Sequence, residues 1–261
     1  MSFSLNISAL KQKSELIYTI TLAQLKSRYR KTFAGFLWVL INPILTFGVQ
    51  ALIFKNVLKV SIDNYYLFLL AGLIPWIFIT STLSMTVGVF INNRSTLMAF
   101  KIDPCVFLIS QLLDNFINFV ASYIILIFIV DHTVFLNPWV IPLMILSTIL
   151  LILFVFFMSF FLATLNVFFR DTQFILSFVL SLAYFVTPIF YQKSLLPPAI
   201  QQAVEYNPLY IFIKPFQNIL YKYDFELYWN SMFFAFITLI VFALVSIIFW
   251  KRKRDGLYFQ I

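Results

Sequence analysis

The chain has 261 residues, 62% of them hydrophobic and only 11% charged, with a net charge of +8. That balance excludes a single water-soluble domain, in which about a quarter of residues are charged, and places the chain among polytopic membrane proteins. One Cys (Cys105) and one His (His132) exclude an intrachain disulfide and a zinc centre, and the short inner loops exclude a nucleic-acid surface.

Residues 1–32 read as a cytoplasmic amphipathic segment. Between Ser14 and Lys31, Leu16, Ile20, Ala23 and Ser27 alternate with Ile17, Thr21, Gln24 and Arg28 at helical spacing. The pattern predicts a helix lying in the inner membrane interface, polar face to the cytosol, with Ser14 as N-cap. Residues 33–250 then hold six apolar stretches, each near the ~20 residues that a ~30 Å hydrocarbon core requires. They run about Phe33–Leu58, Tyr66–Ile91, Val106–Val130, Val140–Phe169, Phe174–Phe190 and Trp229–Trp250. The fifth is short and ends at Pro188. The basic segment ahead of the first stretch is followed by no small-residue cleavage site and is expected to stay on the chain.

Charge orients these stretches. With the N-terminus inside, the inner segments hold Lys11, Lys13, Lys26, Arg28, Arg30, Lys31, Arg94, Lys101, Arg170 and Lys251–Arg254, while the outer ones hold only Lys55, Lys59, Lys193, Lys214 and Lys222. Lys and Arg mark the cytoplasmic side, so both termini are expected there, and residues 251–261 form a basic cytoplasmic tail that meets anionic lipid. The outer segment 191–228 carries Pro197, Pro198, Pro208 and Pro215, yet stays apolar through Leu209–Ile213. Non-helical backbone at membrane depth must be buried in protein or face a water-filled cavity, so re-entrant gate helices are expected, with Pro188, Asn207 and Pro208 at the gate. The inner loop from Asn92 to Pro104 is compact enough for a short docking helix.

Polar residues recur within the stretches at helical spacing. Gln111, Asp114, Asn115, Asn118 and Ser122 share one face of the third; an ionisable group there is expensive, which makes Asp114 a functional candidate, with helix-to-helix glue as the alternative. Gly35, Trp38, Asn42, Thr46 and Gln50 form a second stripe, kinked at Pro43. Ser177, Ser181, Tyr184, Pro188 and Tyr191 form a third. Neither of these two carries charge, so neither suits an ion path. Mixed amide, hydroxyl and aromatic surfaces suit sugars instead. None of the five glycines lies in a phosphate-cradling loop, so no nucleotide hydrolysis is expected from this chain.

Leu25-Lys26-Ser27-Arg28-Tyr29-Arg30 with Gly35-Phe36-Leu37-Trp38 and Asn42-Pro43 resembles the entry to the first span of type-2 ABC exporter permeases. Leu70–Trp76, Asn166–Asp171, Thr187–Tyr191 and Tyr206–Leu209 continue the resemblance in family order over nearly the whole chain. The branch is the one exporting O-antigen, capsule and teichoic-acid polymers. The resemblance implies a permease that is no enzyme itself. It would pair with a second copy and with two copies of a cytoplasmic ATPase that holds the ATP and magnesium. A polyprenyl-diphosphate-linked polysaccharide would cross the bacterial cytoplasmic (inner) membrane through a channel lined by the first and fifth spans.

The resemblance also implies that the N-terminal helix and the 92–104 loop meet the ATPase, with Arg28, Arg30, Arg94, Lys101, Arg170 and Asp171 as inner salt-bridge or partner-contact residues. The family often has a basic run before Pro104; here the chain reads Met98-Ala99-Phe100-Lys101-Ile102-Asp103. Two alternatives come from other classes of function: a type-2 ABC permease for drugs or lipids, and a membrane-embedded glycolipid transferase.

Overall fold

A computed structural model describes residues 7–53, 62–100, 102–129 and 136–260. Its regular secondary structure is helical among the described residues. In chain order the helices are α1 (Ile7–Tyr29), α2 (Trp38–Ala51), α3 (Tyr65–Thr86), α4 (Val89–Asn92), α5 (Arg94–Phe100), α6 (Pro104–Ile129), α7 (Val140–Phe168), α8 (Thr172–Val186), α9 (Pro198–Glu205), α10 (Pro208–Leu220) and α11 (Phe225–Gln260). Among the described residues α3, α6, α7 and α11 are long and apolar enough to cross a membrane, and α2 and α8 are shorter apolar helices of 14 and 15 residues. The chain is a multi-pass membrane protein.

The element ends follow from local chemistry. Left-handed backbone at Lys31 and Gly35 turns the chain between α1 and α2; glycine takes that conformation without steric cost. The expected first span starts at Trp38, after a 3-10 turn over Gly35–Leu37, and its end at Leu58 lies outside the described residues, as do Lys55, Lys59, Lys101 and His132. The second expected span breaks at Val87–Gly88 into α3 and the one-turn α4. Pro188 bars helix at Thr187, which is extended, so α8 stops at Val186. The expected 251–261 tail is helical through Gln260, because nothing in Lys251–Arg254 interrupts α11.

α3 is the central helix, buried from Tyr65 to Ile79 on most sides and packed on α6, α7 and α10. Gly72 lets α10 approach: a Cβ there would lie 2.8 Å from Gln217 Nε2 and 3.4 Å from Ile189 Cγ2. α10 is the most deeply inserted short helix, with Phe212 stacked on Phe154 at 4.0 Å between ring centroids. α7 and α11 pack along their length. Tyr228 donates to the Leu143 carbonyl at 3.0 Å and Ser246 to the Phe157 carbonyl at 2.8 Å. A smaller second core gathers Val89, Phe90, Leu97, Phe107, Leu108, Phe160, Ala163 and Val167.

α1 departs from the expected polar-face-out arrangement. Its packed stripe is Ile17, Ile20, Thr21, Gln24, Leu25 and Arg28, and that stripe lies against the first half of α6. Thr21 Oγ1 reaches the Ser110 carbonyl at 3.4 Å, and Ser110 Oγ reaches the Ile17 carbonyl at 3.3 Å. Ser14 is not an N-cap. The helix begins at Ile7, so the Ser14 hydroxyl bonds back to the Lys11 carbonyl at 2.8 Å.

Candidate functional site

Two polar hollows lie on either side of α3. The first, about 410 Å³, sits between α2, α3 and α6. α2 contributes Trp38, Asn42 and Thr46, one helical turn apart on a single face; α6 contributes Asn115, Asn118 and Ser122; α3 contributes Ser81 and Met85; and Arg28 closes one end. The sequence stripes of the first and third apolar stretches therefore face each other. Gln50, the next member of the α2 stripe, does not line the hollow, and its Oε1 is buried without a partner among the described residues.

The Arg28 end is built around an ion pair. Arg28 Nη2 bonds Asp114 Oδ2 and approaches Asn115 Oδ1 at 3.4 Å and the Met85 sulfur at 3.2 Å, while Gln111 Nε2 donates to the same Asp114 oxygen at 3.1 Å. The Asp114 side chain is 1% exposed and that of Arg28 25%. A carboxylate so buried stays charged only if it is paired and hydrogen-bonded. Asp114 thus pairs with the one cation that lines the hollow among the described residues and ties the end of α1 to α6.

The second hollow, about 440 Å³, lies between α3 and α8 and is lined by Trp76, Thr80, Ser84, Ser177, Leu180, Ser181, Tyr184 and Phe185. It adjoins a 280 Å³ recess that shares Ser84 and Ser177 and reaches Asn92 and Gln173. The Trp76 and Tyr184 rings lie 5.9 Å apart. Ser177, Ser181 and Tyr184 were expected here from their spacing; Trp76, Thr80 and Ser84 were not. Yet these three recur at four-residue intervals in the second apolar stretch, a signal of the same kind. Tyr191 is not brought to either hollow. Its hydroxyl bonds the Phe185 and Val186 carbonyls at 2.8 and 3.1 Å, satisfying the open end of α8.

The 191–228 segment is tied down from several directions. Asn207 caps α10, its Oδ1 accepting from the Leu209 N–H at 3.0 Å with Pro208 in the first turn, while its Nδ2 donates to Thr187 Oγ1 at 3.0 Å. Gln217 donates to the Pro188 carbonyl at 3.1 Å. Glu205 bridges Lys193 and Lys214, the latter at 2.8 Å. Burial pushes the Glu205 carboxyl up, but the bonds from the two lysines outweigh it and hold the carboxyl below its usual range.

On the side carrying the smaller core, Lys13 pairs with Asp103 at 2.9 Å, linking α1 to the turn before α6. The hydrogen bond and charge of Asp103 raise Lys13. Burial raises Asp103, but its bonds from Lys13 and from the Cys105 N–H prevail and lower it. In α5, Leu97 is buried while Met98 and Phe100 are exposed. Arg30, Arg94, Arg170 and Asp171 are exposed as well. Arg170 and Asp171 make no ion pair among the described residues, with each other or elsewhere: Arg170 stands in the turn and Asp171 immediately precedes α8. No intraprotein salt bridge is therefore formed by that pair among the described residues.

The described residues form a helical multi-pass bundle with internal polar hollows. The model of the ABC-2 type transporter family matches residues 15–221, and the chain belongs to that family. It is also similar to curated relatives over most of its length. One O-antigen export system permease protein RfbA of Klebsiella pneumoniae is 29% identical over 238 residues, 87% of this chain and 91% of the relative. A relative of the same name from Myxococcus xanthus is 27% identical over 251 residues, 95% of this chain and 96% of the relative. These relatives agree with the resemblance to the polysaccharide-exporting branch.

Proposed function

We propose that this chain is the membrane subunit of an exporter that moves lipid-linked surface polysaccharide, O-antigen foremost, outward across the bacterial cytoplasmic membrane. Capsule and teichoic acid are the nearest alternatives. Six spans with both termini inside, α2 and α8 as the first and fifth, fit the charge asymmetry. A second copy of the chain would cover the exposed apolar side chains of α2 and α8, among them Ile44, Val49, Phe178 and Leu182. Two copies of a cytoplasmic ATPase would supply ATP and magnesium and dock on α1 and on α5, where Met98 and Phe100 stand exposed. The observation that carries the substrate class is the pairing of end-to-end similarity to O-antigen export permeases with hollows lined by amide, hydroxyl and aromatic groups.

The test is deletion of the gene followed by envelope fractionation for lipid-linked glycan. Glycan accumulating on the cytoplasmic face and vanishing from the surface is expected. An unchanged distribution would overturn the proposal in favour of a drug or lipid permease, and glycan lost from both faces would favour a transferase. Within the permease, Trp38→Ala and Tyr184→Ala should each slow export several-fold at normal expression. Unchanged export would remove that residue from the path.

A further inference from the structure

The hollow between α2, α3 and α6 differs from a lipid-facing groove in one respect: its polar groups are arranged as two facing ladders. Trp38, Asn42 and Thr46 rise along α2 at intervals of four residues, and Asn115, Asn118 and Ser122 rise along α6. At ~1.5 Å per residue, each ladder extends roughly 10–12 Å along its helix. Polar side chains at this depth face a bundle interior or a cavity because lipid offers them nothing.

The hydrogen bonding says what such a cavity accepts. Asn115 Nδ2 donates to the Gln111 carbonyl at 3.2 Å and the Ser122 hydroxyl to the Asn118 carbonyl at 2.9 Å. Each bond uses one N–H of the Asn115 amide or the single Ser122 O–H, and Arg28 approaches Asn115 Oδ1 at 3.4 Å; the second Asn115 N–H and the Ser122 oxygen are left, a donor and an acceptor that sugar hydroxyls can meet. The charge says what it rejects. The guanidinium of Arg28 faces the hollow but is held by Asp114, which is itself 1% exposed and cannot leave the pair for water. A free guanidinium would select phosphate or carboxylate; a neutralised one leaves the hollow without net charge. Trp38 supplies the apolar face against which a sugar ring can lie.

We infer that this hollow, within a single protomer, is a binding site for an uncharged sugar unit, with Asn42, Asn115 and Ser122 as its hydrogen-bonding residues and Asp114 as the positioning residue that keeps Arg28 from converting it into an anion site. The inference rests on the export function proposed above and adds the third apolar stretch to the path, beside the first and fifth. A site inside one protomer engages the glycan without a partner copy.

The test uses the full-length protein in phospholipid nanodiscs. The probe is the lipid-free glycan that mild acid releases from the cells' own polyprenyl-linked pool, with binding read by calorimetry and inorganic phosphate as competitor. Wild type should bind the glycan and ignore millimolar phosphate. Asn115→Leu should weaken binding at least about tenfold, and the milder Asn42→Ala and Ser122→Ala several-fold with unchanged melting temperature, so that a folding defect in the first variant leaves two others to decide. Asp114→Asn should make glycan binding phosphate-sensitive. Wild-type affinity in both mild variants would overturn the inference, and so would phosphate competition in the wild type, which would mark an anion site. If deletion traps glycan inside the cell while these variants bind normally, the sugar site fails and the export function stands. If deletion leaves glycan distribution unchanged, the export function itself fails.

Discussion

The Arg28 hollow and the turn around Pro188 are both polar places in an apolar molecule, and they are built on opposite plans. Around Pro188, several polar groups meet a partner on another segment: Asn207 holds Thr187, Gln217 holds the Pro188 carbonyl, and Glu205 holds two lysines. Thr187 and Ile189 are fully buried, and a Cβ at Gly72 would displace the Gln217 amide, which it would meet at 2.8 Å. In the hollow, by contrast, amides and hydroxyls bond chiefly along their own helices and leave about 410 Å³ between them. Polar residues that staple segments together are structural; polar residues that line space can serve a ligand. A proline-rich apolar segment predicts buried irregular backbone in either case, so sequence alone does not separate a gate from a staple.

The largest expected effect breaks the one fixed point of the hollow. Arg28→Ala strands a carboxylate whose side chain is 1% exposed, and removing one member of a buried pair is worth about 3 kcal/mol or more. Asp114→Asn strands a guanidinium that is 25% exposed and can turn toward water, so about 1 kcal/mol is expected. Thermal unfolding in detergent should rank the two variants in that order. The reverse order would mean that Arg28, not Asp114, is the deeply committed partner.

A smaller effect sharpens the other side of the comparison. Gln217→Ala leaves the buried Pro188 carbonyl without its donor, a loss of about 1–2 kcal/mol. Gly72→Ala should also destabilise, because the new Cβ meets Gln217 Nε2 at 2.8 Å. The double variant should cost less than the sum of the two, since Gln217→Ala removes the atom that clashes. Additive losses in a double-mutant cycle would show that Ile189, not Gln217, sets the fit.

Much of this was legible in the sequence where one physical rule decides. Long apolar runs announced α3, α6, α7 and α11, and Pro188 announced the end of α8. Helical spacing brought Trp38, Asn42 and Thr46 to one face and placed Ser177, Ser181 and Tyr184 together. What escaped depends on partners distant in the chain. Arg28 reads as one of several inner cations until Asp114, 86 residues away, is seen beside it. The α1 stripe with Thr21 and Gln24 reads as solvent-facing because side-chain polarity does not reveal that α6 offers Ser110 to meet it. Tyr191 fits the α8 spacing, but Pro188 ends the helix first, so the register no longer applies.

The smallest expected effect separates the half-buried Glu205 pairs from the exposed Lys13–Asp103 pair by pH. Glu205 and Asp103 are both held below the ordinary carboxylate range, so each contributes stability that is complete above that range and is lost as pH falls through its own lowered value. Glu205 joins two lysines across the 191–228 segment and is less exposed than the 55%-exposed Lys13 of the other pair. The bracket should therefore contribute about 1 kcal/mol and the Lys13–Asp103 pair at most about half of that. In melting curves below the ordinary Glu value of 4.5, Glu205→Gln should abolish most of the acid-induced drop, while Lys13→Ala should leave it nearly intact. An equal loss in both variants would mean that the Lys13–Asp103 link between α1 and the turn before α6 is as firm as the Glu205 staple.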